Sequence, residues 1–183
     1  MIYHLSLQTA GWICGIVLLA IGGMAFVRPN AAREFAARLP RSQPIGIALL
    51  TIDLIWCIWL LATMEMGEFS MFRRPLLILL PITYILVLRF VNEFLAVRAL
   101  GILCLLAAEP LLDAAFFRYE VSRLFVTSFA YVLVVVGLFW VASPYLLRDQ
   151  ISWTSRSDTR WRSFSGALLV YGAAVIVCAI VFY

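Results

Sequence analysis

Long, uninterrupted apolar runs are the feature that most constrains how this chain can fold. Two of them are ICGIVLLAIGGMAFV, at residues 13–27, and YVLVVVGLFWVA, at residues 131–142. Of the 183 residues, 64% are hydrophobic and 13% are charged, whereas soluble domains are about half apolar and about a quarter charged. A soluble fold of this length cannot bury so much apolar surface. Because transmembrane β-strands alternate apolar and polar residues, the continuous runs predict an all-α integral membrane protein.

The lengths of the runs predict a bundle of about six transmembrane helices. A helix needs about 20 residues to cross about 30 Å of hydrocarbon. The connecting loops are too short to hold a soluble domain, so we expect a single transmembrane helical domain over residues 1–183. The predicted helices span about 8–27, 45–64, 75–91, 95–117, 124–147 and 164–183.

Residues 75–117 allow two interpretations. They form either two crossings joined by a tight turn at RFVNEF, or one long helix followed by an interfacial segment after Pro110. Cytoplasmic loops are enriched in Lys and Arg. With six spans and an outer N-terminus, ten of the 14 basic residues lie on the inner side, whereas with five spans this bias vanishes. The charge distribution therefore favours six spans, with the N- and C-termini on the outer side.

The predicted inner loops combine arginine with tryptophan. This combination is typical of a positive-inside anchor with an aromatic belt, and a sharper hypothesis is that it binds anionic lipid headgroups. We expect a multi-pass protein of the bacterial cytoplasmic (inner) membrane, without a nucleic-acid partner. The residues predicted to contact lipid at this cytoplasmic rim are Arg28, Arg33, Arg38, Arg41, Arg156, Arg160 and Arg162.

Two carboxyls are predicted near the middle of the bilayer. Asp53 is midway between the charged residues at positions 41 and 65, and Glu109 adjoins the midpoint of positions 98 and 118. An Asp at a helix centre costs about 2.5–3.5 kcal/mol on insertion scales, so such side chains normally face the bundle interior and are functional candidates. No basic residue is predicted at their depth. Each carboxyl is therefore expected to be protonated and hydrogen-bonded, charged beside a bound cation, or paired with another chain.

Asp113 is a third candidate for binding a proton or cation, because it lies one turn beyond Glu109 on the same helix face. Pro110 leaves a carbonyl in the preceding turn without its donor, and a freed carbonyl beside a carboxyl is one way in which broken helices bind cations. Pro81 and Pro144 are the other predicted helix breaks. The alternative hypothesis gives this segment a packing role, with a kink at Pro110 and neighbouring alanines allowing close helix contact.

The sequence contains no H-E-x-x-H, G-x-S-x-G or P-loop motif, so no catalytic residue is predicted. Neither a metal nor a cofactor is expected, because His4 is the single histidine and the four cysteines lie in separate apolar runs. We therefore favour a non-enzymatic accessory, assembly or interaction subunit of a membrane complex, bound to a protein partner or to a second copy. The alternative is a small transporter or proton/cation-coupled carrier that uses Asp53 and Glu109 in one polar cavity. A lipid-modifying enzyme acting through Asp113 is the least favoured hypothesis.

Overall fold

The computed structural model describes residue 3 and residues 5–91, 93–118 and 120–182, so His4 lies outside the described residues. Within these ranges the chain is helical and contains no β-strand. Short 3₁₀ turns at Leu39–Arg41 and Gly67–Phe72 precede the third and fourth helices. The α-helices are α1 (Leu7–Val27), α2 (Pro29–Arg38), α3 (Gln43–Thr63), α4 (Arg73–Phe90), α5 (Leu95–Ala115), α6 (Arg123–Ala142), α7 (Tyr145–Ser155) and α8 (Asp158–Val181).

Six of these helices are long and apolar enough to cross a membrane. They are α1, α3, α4 together with its preceding turn, α5, α6 and α8. The predicted count of six is therefore confirmed for the described part of the chain. The single long helix over residues 75–117 is not formed, because the chain turns between α4 and α5, where Phe94 adopts a left-handed conformation with φ of 56°.

The last two long helices differ in extent from the predicted 124–147 and 164–183. The backbone N–H of Ser143 donates to the Phe139 carbonyl at 2.7 Å and ends α6, and Pro144 then precedes the separate helix α7. Proline fixes φ and has no N–H, which suits it to a helix start. At the other helix, the polar residues from Asp158 onward already form helical turns. Hydropathy marks where a helix is apolar, but hydrogen bonding decides where it begins.

Glycines bring two antiparallel helix pairs into close contact. In the α1–α8 pair, a methyl group built on Gly15 would lie 3.2 Å from the Gly172 carbonyl oxygen. In the α5–α6 pair, one built on Gly101 would lie 2.9 Å from the Gly137 carbonyl oxygen. Small residues let helix backbones approach this closely. These two pairs contact each other through α1 with α5 and α6, and they form the centre of the bundle.

The remaining long helices lie at the side of this centre. α3 packs against α5, and α4 packs against α3, where the Thr51 and Tyr84 hydroxyls are 2.8 Å apart. None of the described residues of α4 is buried. α4 is therefore the most peripheral of the six long helices.

The two short helices α2 and α7 contact each other at one end of the bundle. There the Arg33 guanidinium lies 2.6 Å from the Asp158 carboxylate and 5.2 Å from the centre of the Trp161 ring, whose N–H donates to the Ala25 carbonyl. Arg160 lies 4.5 Å from the ring centre of Trp153. We call this the arginine-rich end, and the opposite end arginine-poor. The arginine-rich end contains all seven arginines of the predicted lipid rim: Arg28, Arg33, Arg38, Arg41, Arg156, Arg160 and Arg162.

Candidate functional site

α3 packs closely against the first part of α5 and leaves a cavity beside its second part. At the arginine-rich end the two helices are in contact, since a methyl group built on Gly46 would lie 2.7 Å from the Ala96 backbone nitrogen. Leu50, one turn further along α3, packs with Leu95 and Ala99. At the arginine-poor end a cavity of about 960 Å³ opens instead. α3 and α5 run in the same direction, since their first residues meet at one end and their last residues line the cavity at the other.

We call this cavity the α5 groove. Its walls come from the end of α3 and the residues that follow it, from one face of α5, and from α6. The five α5 residues and Phe116, which directly follows α5, recur at helical spacing, so they form one continuous face about 16 Å long. The lining residues are Thr63, Met64, Glu65, Leu105, Ala108, Glu109, Leu112, Asp113, Phe116 and Val134.

The groove brings together two of the three predicted carboxyls. Glu109 is exposed, and Asp113, one turn away, is partly buried. Neither side chain forms a hydrogen bond or ion pair with another described residue. Glu65 adds a third carboxyl at the mouth of the groove. The site can therefore accept hydrogen bonds or pair with a cation, while its leucine and phenylalanine walls remain apolar.

Asp53 occupies a different environment. It follows Gly46 and Leu50 on the stripe of α3 that faces α5, and only 3% of it is exposed. Both of its carboxyl oxygens are buried without a hydrogen-bond partner among the described residues. A negative charge on Asp53 would interact electrostatically with the thiol of Cys57, one turn further along α3, and with the thiol of Cys104 on α5. Asp53 is not among the described residues that line the α5 groove.

Asp53 and Glu109 also differ in depth. Asp53 is seven residues beyond Gly46, and Glu109 is thirteen residues beyond its neighbour Ala96. Glu109 thus lies six residues, or about 9 Å, nearer the arginine-poor end. The flanking charges placed both carboxyls near mid-depth, but α5 runs from Leu95 to Ala115, so its midpoint is Leu105 and Glu109 lies four residues beyond it.

Only one of the three predicted helix breaks coincides with a helix boundary. Pro81 and Pro110 lie inside α4 and α5, which continue through them, whereas Pro144 separates α6 from α7. α5 therefore carries Glu109 and Asp113 on one unbroken helix, and Pro110 does not divide the face that lines the groove.

Tyr3 is a neighbour of this region that the sequence did not reveal. Its hydroxyl accepts a hydrogen bond from the Trp56 indole N–H at 2.6 Å, and its ring centre lies 5.5 Å from that of Trp59. Burial raises the pKa of Tyr3 above its ordinary value, and the negative charges of Glu109 and Cys57 raise it further, while the Trp56 hydrogen bond opposes the shift. In the sequence alone, a tyrosine just before an apolar helix indicates only an interfacial aromatic residue.

The described residues contain no group of three or more His, Cys, Asp or Glu side chains that could hold a metal ion. No protein-family model, curated protein sequence or solved structure matches this chain. The chemistry of the groove is therefore inferred from its own residues.

Proposed function

We propose that this chain is a non-enzymatic interaction subunit of a membrane complex, and that a helix of a partner chain docks in the α5 groove. The observation that carries the proposal is the uncovered face of α5, which continues for three turns between α3 and α6. Along this face Glu109 and Phe116 are exposed and Leu105, Leu112 and Asp113 are partly buried, whereas Ala108 lies in the packed centre of the bundle. The lining residues follow α5 for about 16 Å, so a helix lying alongside α5 can follow the groove.

The membrane orientation belongs to the same proposal. Cytoplasmic loops are rich in arginine, so the arginine-rich end lies on the cytoplasmic side of a bacterial inner membrane and both termini lie outside. Anionic headgroups then meet exposed arginines such as Arg28 and Arg162. Arg33 already pairs with Asp158 inside the protein, so it contributes less to this contact. The α5 groove opens in the outer half of the membrane.

Peripheral α4 also supports an interaction role. Exposed apolar residues occur along its whole length, from Leu76 to Phe90, and it packs mainly against α3. The transporter alternative required Asp53 and Glu109 to face one cavity. The groove is lined by Glu109 and Asp113 without Asp53, so the geometry supports docking better than a shared ion pathway.

The proposal is tested by purifying the full chain from its native membrane in mild detergent and measuring the particle mass. We expect a particle larger than the 20.6 kDa chain with lipid and detergent, containing one other protein in fixed ratio. Val134→Trp places a large side chain in the groove and is expected to release that protein. Val132→Trp is the matched control, because Val132 lies on the same helix, is 55% exposed and does not line the groove.

Two outcomes contradict the proposal. One is a stable particle that contains only this chain. The other is equal loss of the partner from both tryptophan variants, which would indicate a general effect of added bulk on α6. Thermal unfolding of each purified variant shows whether the chain itself has remained folded.

A further inference from the structure

We propose that the partner helix carries a Lys or Arg side chain that pairs with Glu109 and Asp113. This inference rests on the proposed docking function and adds the chemical class of the partner. The groove defines where the partner helix binds. The two carboxyls on the groove wall are not paired with another described residue, so they favour a partner side chain of positive charge.

The depth of the carboxyls creates the need for a cation. Glu109 lies six residues, about 9 Å, inside the end of α5 at Ala115, and Asp113 lies between them. In hydrocarbon an isolated carboxylate is costly, and intramembrane carboxyls normally find a partner. Leu105 and Leu112 flank Glu109 on the same face and remove much of the polar surroundings that would otherwise solvate it.

The described part of this chain does not supply that cation. In the long helices, every arginine lies within the first five or the last two residues. At the arginine-poor end, Arg73 donates to the Met64 carbonyl and Arg123 donates to the Ala115 carbonyl, so both cap helix ends. A second copy would offer the same arrangement. Charge complementarity therefore points to a different chain with a basic residue inside its membrane span.

The shape of the groove favours a helix over a small ion. Apolar residues from Leu105 to Phe116 accompany the carboxyls along three turns of α5, and Val134 faces them from α6. A hydrated ion would satisfy the carboxyls but leave this apolar wall uncovered. A helix with one basic side chain covers the wall with its apolar residues and places its ammonium or guanidinium group at Glu109.

The test uses two synthetic transmembrane peptides of leucine and alanine, one with a single Lys at mid-span and one with Leu at that position. Full-length protein is reconstituted in phosphatidylcholine vesicles, and binding is measured by energy transfer from its tryptophans to a dansyl group on the peptide. We expect the Lys peptide to bind roughly tenfold more tightly than the Leu peptide, since the peptides differ only in this intramembrane polar contact.

Two pairs of substitutions identify the carboxyls responsible. Glu109→Gln with Asp113→Asn is expected to abolish the preference for Lys while leaving the Leu peptide bound. Glu68→Gln with Glu120→Gln removes two exposed carboxyls that do not line the groove and is expected to preserve the preference. If the first pair fails to fold, Glu109→Lys with Asp113→Leu provides a second route, because a lysine without a neighbouring carboxylate is expected to bind a Glu-bearing peptide in preference to the Lys peptide.

The remaining outcomes separate the two proposals. Equal binding of both peptides to the unmodified protein overturns the cationic partner but leaves helix docking intact. Binding of neither peptide contradicts docking itself. Tetraphenylphosphonium that binds through Glu109 and Asp113, with no preference between the peptides, overturns the inference in favour of a small organic cation.

Discussion

The two halves of α5 differ in how closely α3 covers them. Near the arginine-rich end, Gly46 brings α3 against Ala96, and Gly101 brings α6 against α5 at Gly137. Toward the other end, the same helix presents Glu109 and Asp113 to an open groove. Backbone contacts at glycines therefore hold α3, α5 and α6 together over the half of α5 near the arginine-rich end. The other half is then free to display a surface that none of the described helices covers.

We call the half of α5 near the arginine-rich end the closed half and the other the open half. Many close contacts between helices stabilise the closed half. Dispersion contacts are individually weak and collectively large, and small residues in helix interfaces increase their number. The open half lacks those contacts on its groove face, where a partner helix would supply them, while its opposite face stays packed at Leu111, Ala114 and Ala115. Substitutions in the closed half should therefore change the stability of the isolated chain, whereas those in the groove should mainly change binding.

Gly101→Ala should have the largest effect on stability. The added methyl group would meet both the Gly137 carbonyl oxygen and the Val141 side chain at 2.9 Å, so α5 and α6 must separate. We expect a loss of about 1–3 kcal/mol, the usual range for overpacking, measured by SDS titration in mixed micelles with circular dichroism. Gly23→Ala is the control, because a methyl group there would have nothing within 4 Å. Equal destabilisation by both substitutions would show that the close α5–α6 contact is not what stabilises this half.

Asp53, on α3, faces α5 near the junction of its two halves, and it gives the next prediction. Its carboxyl is buried without a hydrogen-bond partner among the described residues, and an unsatisfied buried polar group costs about 1–3 kcal/mol. Asp53→Leu is therefore expected to leave the stability of the isolated chain unchanged or to raise it by about 1 kcal/mol. Asp113→Asn, in the groove, should change it by less than about 0.5 kcal/mol.

The same SDS titration measures both variants. A loss of more than about 1 kcal/mol in Asp53→Leu would mean that the carboxyl has a stabilising partner, such as a bound cation, in the folded protein. Asp53→Asn separates charge from shape, because it keeps the size of the side chain. If the asparagine variant matches the wild type while the leucine variant is less stable, hydrogen bonding rather than charge is what Asp53 contributes.

The number of long helices could be predicted from the sequence because hydropathy is a local property. The grouping of arginines at one end followed from the same helix count, and α2 and α7 meet there. The groove could not be predicted, because it depends on where α3 leaves α5. Gly46 and Gly101 are visible in the sequence, but nothing in it shows that they face Ala96 and Gly137.

The arrangement of the candidate carboxyls could also be predicted only in part from the sequence. Glu109 and Asp113 share a helix, so helical periodicity placed them on one face, and both line the groove. Asp53 is on another helix, and its depth relative to Glu109 depends on helix register and on the end of α5. Flanking arginines locate the ends of a helix only approximately, because a helix can stop, as α5 does at Ala115, before the next charged residue.

Tyr3 gives a pH-dependent prediction, and it lies beside the open half. Because its pKa is raised in the folded chain, the folded state retains a proton that the unfolded state loses above the ordinary tyrosine pKa of about 10. The resulting stabilisation is full below pH of about 10 and is lost as pH rises through the folded pKa. Tyr3→Phe should therefore show a flatter loss of stability above pH of about 10. At neutral pH it should lose about 0.5–1.5 kcal/mol, since the Trp56 indole loses its acceptor.

Thermal unfolding between pH 7 and about pH 11, within the range where tyrosines titrate, measures both parts of this prediction. Tyr131→Phe is the matched control, because Tyr131 is 59% exposed and none of the described hydrogen bonds involves its hydroxyl. Glu109→Gln connects the measurement to the groove. It removes one of the charges that raise the pKa of Tyr3, so the tyrosine absorbance titration should move to lower pH in that variant and not in Glu68→Gln. An unchanged titration in Glu109→Gln would mean that no charge on Glu109 acts on Tyr3 in the folded chain, contrary to the arrangement around the groove.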